Sequence, residues 1–295
     1  LSTFHALGLR FLREEYESAG LSTGFTILDE GDQVAAVRDG LNDLRLDPKQ
    51  FEPKAVHARL SWFKGRLERP DARKGGFDAA VARVSPLYAR RLRAMNAVDF
   101  DDLIARMVWL LETKEDLAYR WAGRFRFIMV DEYQDTNLAQ LRMLKKLGSR
   151  YQNVCVVGDD DQSIYGWRGA ESGNILEFDQ HFPGAQTIAL TKNYRSTNRI
   201  LRAANELIQN NTARHKKTLW SELGEGSLIR YHKAKDADLE SHWIATDLLS
   251  KKKSGRLNWS DFAILYRTNA QSRLLEDAVR AAGIPYKIVG GQRFY

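Results

Sequence analysis

The chain has 295 residues, of which 43% are hydrophobic and 28% charged, and a net charge of +7. This length suits two or three domains of an ordinary soluble globular protein. No apolar run approaches the ~18 residues of a membrane span, and the opening "LSTFHALGLR" lacks a signal-peptide pattern. The single cysteine, Cys155, excludes a disulfide framework or a cysteine zinc site within the chain. Its place in "NVCVVG" predicts a buried, inert strand thiol, and a reducing, cytoplasmic setting is the expectation.

Residues 1–112 read as mostly helical. "STFHALGLRFLREEY" has apolar residues at helical spacing (Phe4, Leu7, Phe11, Leu12), with Ser2 or Thr3 placed to cap it. "ERPDARKGG" is a loop on proline and glycine grounds. "SPLYARRLRAM" and "DFDDLIARMVWLLE" are predicted helices, each opening on a cap residue, Ser85 and Asp99. The acids Asp99, Asp101 and Asp102 suit a helix N-terminus better than a metal site. Between Lys54 and Arg93, eleven Lys/Arg stand against Glu68, Asp71 and Asp78, while the remaining 34 basic and 35 acidic residues nearly cancel. Trp62, Phe63, Phe77 and Tyr88 are interleaved with those cations, a composition suited to holding a polyanion by charge and stacking. A solvated helical face with its aromatics in the core is the plain alternative.

From about residue 113 short strands alternate with helices. "FRFIMV", "NVCVVG", "AQTIAL", "DFAILYR" and "YKIVGG" are the predicted strands. "LAQLRMLKKLG", "NRILRAANELIQN", "ADLESHWIATDLLSKKKSG" and "SRLLEDAVRAAG" are the predicted helices, and "LGS" and "AAG" supply glycine stops. This alternation predicts α/β layers on a parallel sheet, with ligands outside the carboxyl ends of the strands. Three predicted strand ends carry chemistry. "MVDEYQDTN" delivers Asp131 and Glu132, "VVGDDDQSIYGWRGA" delivers Gln162, Tyr165, Trp167 and Arg168, and "LTKNYRST" delivers Tyr194 and Arg195. A carboxylate pair, an amide and an arginine together fit a γ-phosphate.

These stretches, with "STFHALG", "ILYRTNAQSR" and "IPYKIVGGQRFY", resemble the UvrD/Rep family of superfamily-one DNA helicases, in texture closest to its Rep branch. The resemblance runs from residue 2 to residue 295. It implies RecA-like parallel-sheet motor domains, in part, with a mostly helical insert domain. The expected division is an insert domain over 1–112, the back of a first motor domain over 113–193, part of a second over 194–290, and a hinge over 291–295. No G-x-x-x-x-G-K-[ST] loop occurs in the sequence, so an internal fragment, inactive alone, is expected.

The resemblance further implies ATP and Mg²⁺ as cofactors. Asp131 becomes the magnesium ligand, Glu132 the general base, Gln162 the γ-phosphate sensor, Arg195 the arginine finger and Tyr194 the adenine stack. Thr3, Phe4, His5, Tyr165, Trp167 and Arg168 become DNA contacts. The implied partners are single-stranded DNA and single/double-strand junctions, with self-association or a loading partner possible and no membrane. The implied activity is 3′ to 5′ translocation with duplex unwinding. The helicase part of a RecB/AddA-like helicase–nuclease, and an ATPase-dead DNA-binding scaffold, are the rival readings.

Overall fold

The computed structural model describes residues 1–166, 169–255 and 257–289. These residues divide into two compact units, one of residues 1–196 with 201–222, the other of 197–200 with those from 223 onward.

In the first unit, α1 (Phe4–Glu14) starts where the Thr3 hydroxyl accepts the Ala6 N–H, so Thr3 rather than Ser2 is the cap. The strand β1 (Thr26–Ile27) leads to α2 (Glu30–Asp43) and α3 (Pro53–Gly65). After them come α4 (Gly76–Ala94), the strand β2 (Ala97–Val98), α5 (Phe100–Thr113) and α6 (Glu115–Ala122). The strands β1 and β2 pair in parallel. Two apolar cores form around these helices. One gathers Phe11, Leu12, Met107, Leu111 and Trp121 with Met143 from α7 (Leu138–Gly148). The other gathers Val37, Leu41, Val56, Phe63, Val84 and Tyr88 of α2, α3 and α4. Close contact of α1 with α5 depends on Gly8, since a Cβ there would collide with the Leu103 carbonyl.

Asp99 does cap α5, accepting the Asp102 N–H at 2.8 Å. Ser85 does not open a helix. The α4 helix starts nine residues earlier and runs through Pro86. Burial of Ala80, Val81 and Val84 on one side of its first half outweighs the break that proline favours.

The strands β3 (Ile128–Val130) and β4 (Val154–Val156) pair in parallel, with Met129 opposite Cys155. One face of the pair, Ile128, Val130, Val154 and Val156, packs on Tyr133, Leu141 and Leu144 together with Ile175 of α8 (Gly173–Leu176) and Phe178 of α9 (Phe178–His181). The other face carries Phe127, Met129, Cys155 and Val157, all exposed. The expectation of a buried Cys155 is therefore corrected. The strand alternates, and its thiol points to the face that no described residue covers.

The helix α10 (Asn198–Ile208) follows, its residues from Leu201 on belonging to the first unit, and the second unit contains α11 (Ala237–Lys253) and α12 (Ser272–Ala281) around Ala245, Ala278, Val279 and Ile284. The predicted strands at 185–190 and 261–267, and the described part of the one at 286–291, form no ladder among the described residues; a single bridge, Lys192 to Trp220, lies near the first. An extended segment becomes a strand only where a neighbour supplies N–H and C=O partners. The hinge expected at 291–295 lies outside the described residues, and no described helix is long and apolar enough to cross a membrane.

Candidate nucleotide and nucleic-acid site

Because β3 and β4 are parallel neighbours in register, their carboxyl ends deliver two loops side by side. The ladder extends past the strands, with the Val157 N–H donating to the Val130 carbonyl at 2.8 Å and the Tyr133 N–H to the Val157 carbonyl at 3.0 Å. Between those bonds the chain exposes Asp131 and Glu132, and directly after them it buries Tyr133 and Gln134. Glu132 sits in the left-handed region, φ 52° and ψ 42°. Such strain in a non-glycine residue costs of order 1–3 kcal/mol and persists only where its surroundings hold it. Here the Glu132 N–H donates to Asp131 Oδ1 at 2.9 Å, and Gln134 Nε2 donates to Glu132 Oε2 at 2.7 Å.

The second loop joins the first through the same glutamine. The Asp159 N–H donates to Gln134 Oε1 at 3.0 Å, and Gln162 Nε2 donates to Asp159 Oδ2 at 2.7 Å. Asp131, Glu132 and Gln162 are thereby brought into one hydrogen-bonded assembly. Asp135 lies beside it with its carboxyl raised by burial and by the charge of Glu132.

Asp159, Asp160 and Asp161 converge closely enough to hold a cation, and the cations they hold are side chains. Lys217 Nζ lies 2.8 Å from Asp159, 2.7 Å from Asp160 and 3.1 Å from Asp161. Arg214 reaches both oxygens of Asp161, at 2.7 and 2.6 Å. Burial works to raise the Asp159 carboxyl, but hydrogen bonds from Lys217 and Gln162 outweigh it and hold it low. Asp161 is held low chiefly by Arg214. Nothing in the sequence pointed to Arg214 or Lys217, which stand more than fifty residues downstream of their partners.

Tyr194 and Arg195 follow a turn made by Asn193, whose Oδ1 accepts the N–H groups of Arg195 at 2.9 Å and Ser196 at 2.7 Å. The Asn193 N–H donates to the Trp220 carbonyl at 2.7 Å, which anchors the turn. The Tyr194 ring is 77% exposed, with the Lys192 ammonium 5.3 Å from its centre. Among the described residues the Arg195 guanidinium has no ion-pair partner, and no hydrogen bond joins Tyr194 or Arg195 to Asp131, Glu132 or Gln162.

Of the predicted DNA contacts, Thr3 is engaged as the α1 cap and Phe4 packs on the first core. The His5 ring lies 5.3 Å from that of Phe100, an exposed aromatic that no sequence motif marked. Burial lowers the His5 pKa, favouring its neutral form. Tyr165 is exposed, while Trp167 and Arg168 lie outside the described residues.

The basic segment carries less free charge than its composition suggests. Arg59 pairs with Asp78, Lys64 with Asp99 and Asp102, Arg66 with Glu68 and Glu171, Arg73 with Asp71, and Arg91 with Asp39 and Asp43. Arg69, Arg83, Arg90 and Arg93 are exposed, with no ion pair among the described residues.

Comparison with known families decides the lineage. The N-terminal domain of the UvrD/REP helicases matches residues 1–183, and the UvrD-like helicase C-terminal domain matches residues 188–295. The chain belongs to the UvrD/Rep helicase family. The mix of helices and parallel strands agrees with that family's α/β, RecA-like fold. Among curated relatives, it is 43% identical over 299 aligned residues to the ATP-dependent DNA helicase PcrA of Bacillus subtilis. It is 44% identical to proteins of the same name from Staphylococcus epidermidis and Staphylococcus aureus. Each alignment covers 100% of this chain and 40% or 41% of the relative, so the chain spans about two fifths of their length.

Proposed function

We propose that the complete protein is an ATP-dependent DNA helicase that translocates 3′ to 5′ on single-stranded DNA and unwinds duplex at single/double-strand junctions. The observation that carries this reading is the assembly at the ends of β3 and β4. An exposed carboxylate pair on strained backbone is tied, through Gln134 and Asp159, to the exposed amide of Gln162.

The residues fit a magnesium ion. One Asp131 oxygen accepts the Glu132 N–H, which leaves the other for ligation through water. A bound Mg²⁺ would neutralise charge on the nucleotide phosphates. In this reading Glu132 accepts the proton of the attacking water, and Gln162 donates to a γ-phosphate oxygen. Arg195, whose guanidinium has no ion-pair partner among the described residues, stabilises charge growing on the transferring phosphoryl group. Tyr194 offers an exposed ring to the adenine. Thr3, Phe4, His5 and Tyr165 are proposed to meet DNA, and the proposed domain limits are those given by the sequence.

Glu132→Gln in the complete protein keeps size and polarity but removes the base. Its ATPase rate is expected to fall roughly 10²–10⁴-fold with ATP affinity largely kept. A variant keeping more than about a tenth of wild-type turnover would place the base elsewhere. Arg195→Ala is expected to cost on the order of 10³–10⁵ in rate with little change in DNA affinity. Weakened DNA binding with normal turnover would make Arg195 a backbone-phosphate contact instead.

A further inference from the structure

Gln134 is 1% exposed, yet every polar group of its side chain is used. Nε2 donates to Glu132 Oε2 at 2.7 Å, and Oε1 accepts the Asp159 N–H at 3.0 Å. Its backbone carbonyl accepts from the Ser163 hydroxyl at 3.3 Å, one residue beyond Gln162. The orientation of the amide is fixed by its partners. Turned over, it would set NH₂ against an N–H and a carbonyl oxygen against a carboxylate. Gly158 closes the space around it, since a Cβ there would lie 2.7 Å from Gln134 Oε1.

We propose that Gln134 is a positioning residue that aims the Glu132 carboxylate and keeps it in register with the loop bearing Gln162. The inference rests on the reading of Glu132 as the base and Gln162 as the γ-phosphate contact. An exposed glutamate turns freely about its last side-chain bond. Fixing one oxygen to a buried amide leaves the other with a defined direction for the attacking water. Asp159 completes the link: its N–H goes to Gln134, while its carboxylate takes Gln162 at 2.7 Å and Lys217 at 2.8 Å. A displacement of the Gln162 loop is thereby transmitted to the base across one rigid side chain. Simple satisfaction of buried polar groups is the competing account, and it predicts an effect on stability alone.

The test is steady-state ATPase kinetics of the complete protein at saturating DNA, with melting temperatures measured alongside. Gln134→Met keeps length and burial but makes neither hydrogen bond. Its kcat is expected to fall roughly 10–100-fold, the scale of a small misplacement of a catalytic group, with KM for ATP changed less than about 3-fold. Gln134→Asn keeps the amide but is too short to reach both partners, and it should lose kcat as well. Gly158→Ala, whose Cβ would press on the Gln134 amide and on Ile175 Cδ1, should reproduce the kcat loss. With Ile175→Val as the control for the second contact, it decides the matter should Gln134→Met fail to fold. A lowered melting temperature with wild-type kcat in the folded variants would overturn the proposal. Glu132→Gln assayed in parallel separates the two ideas. Normal turnover there sinks the general-base reading itself, whereas a dead Glu132→Gln beside a fully active Gln134→Met sinks only the positioning role.

Discussion

Asp101, in the first turn of α5, shows how a single carboxyl can make the fold sensitive to pH. Burial, and next the charge of Asp99, push it up to about 6. The folded chain therefore holds this proton more tightly than the unfolded chain, whose carboxyl titrates near the ordinary value of about 3.9. The resulting stabilisation is whole below about pH 4 and is lost as the pH rises through 6. Asp101→Asn fixes the neutral state, so the variant should exceed wild type by a few kcal/mol near neutral pH, at about 1.4 kcal/mol per pKa unit. Urea denaturation should show that gap closing near about pH 4.5. An equal gap at both pH values would remove the carboxyl as its cause. The neighbouring Asp99 was legible as a cap because its partner N–H is three residues away. Its second partner, Lys64 at 2.5 Å, was not, because the two stand 35 residues apart and no local pattern joins them. Gln134 was equally opaque: it is visible in "DEYQD", but its role is set by the Asp159 N–H 25 residues on.

The α4 helix carries the matter to the scale of an element. Arg83, Arg90 and Arg93 recur at three- and seven-residue steps and line an exposed stripe of it. Arg91 turns instead to α2, donating to Asp43 at 3.0 Å. Composition weighs these cations alike, and only the fold separates a free charge from a neutralised one. Arg90→Gln with Arg93→Gln is expected to flatten the salt dependence of single-stranded DNA binding by about 0.7 in log–log slope for each phosphate no longer neutralised. Arg91→Gln should leave that slope alone and lower the melting temperature by loosening α2 from α4. DNA titrations at several salt concentrations read the slopes, and thermal melts read the stability. A slope that responds to Arg91 and not to the other pair would move the interface. The start of α4 was misread for a related reason: Ser85-Pro86 is a strong local signal, and burial of Ala80, Val81 and Val84 overrides it.

At the scale of the whole molecule, the α/β texture was legible because parallel strands and amphipathic helices leave different periods in the sequence. Three of the predicted strands form no ladder among the described residues, since strand identity depends on a neighbour that periodicity does not reveal. The same dependence leaves one face of the β3–β4 pair bare, with Phe127 77% and Met129 78% exposed. Parallel sheets are ordinarily covered on both faces, and an apolar sheet face in water is adhesive. The 295-residue chain is expected to bind a hydrophobic dye and to self-associate as its concentration rises. Met129→Lys should weaken both while leaving the circular dichroism unchanged. Undiminished dye binding would put the adhesive surface elsewhere.

Cys155, directly opposite Met129, turns that bare face into something countable. It is the only thiol in the chain and it is exposed, so a maleimide or a bulky disulfide reagent adds one label per molecule at a known point of the sheet. Its alkylation rate gauges whatever lies over that face, protected when the surface is covered and open when it is not. A dye attached there stands four residues from Asp159 and would watch the loop bearing Gln162 from a fixed post.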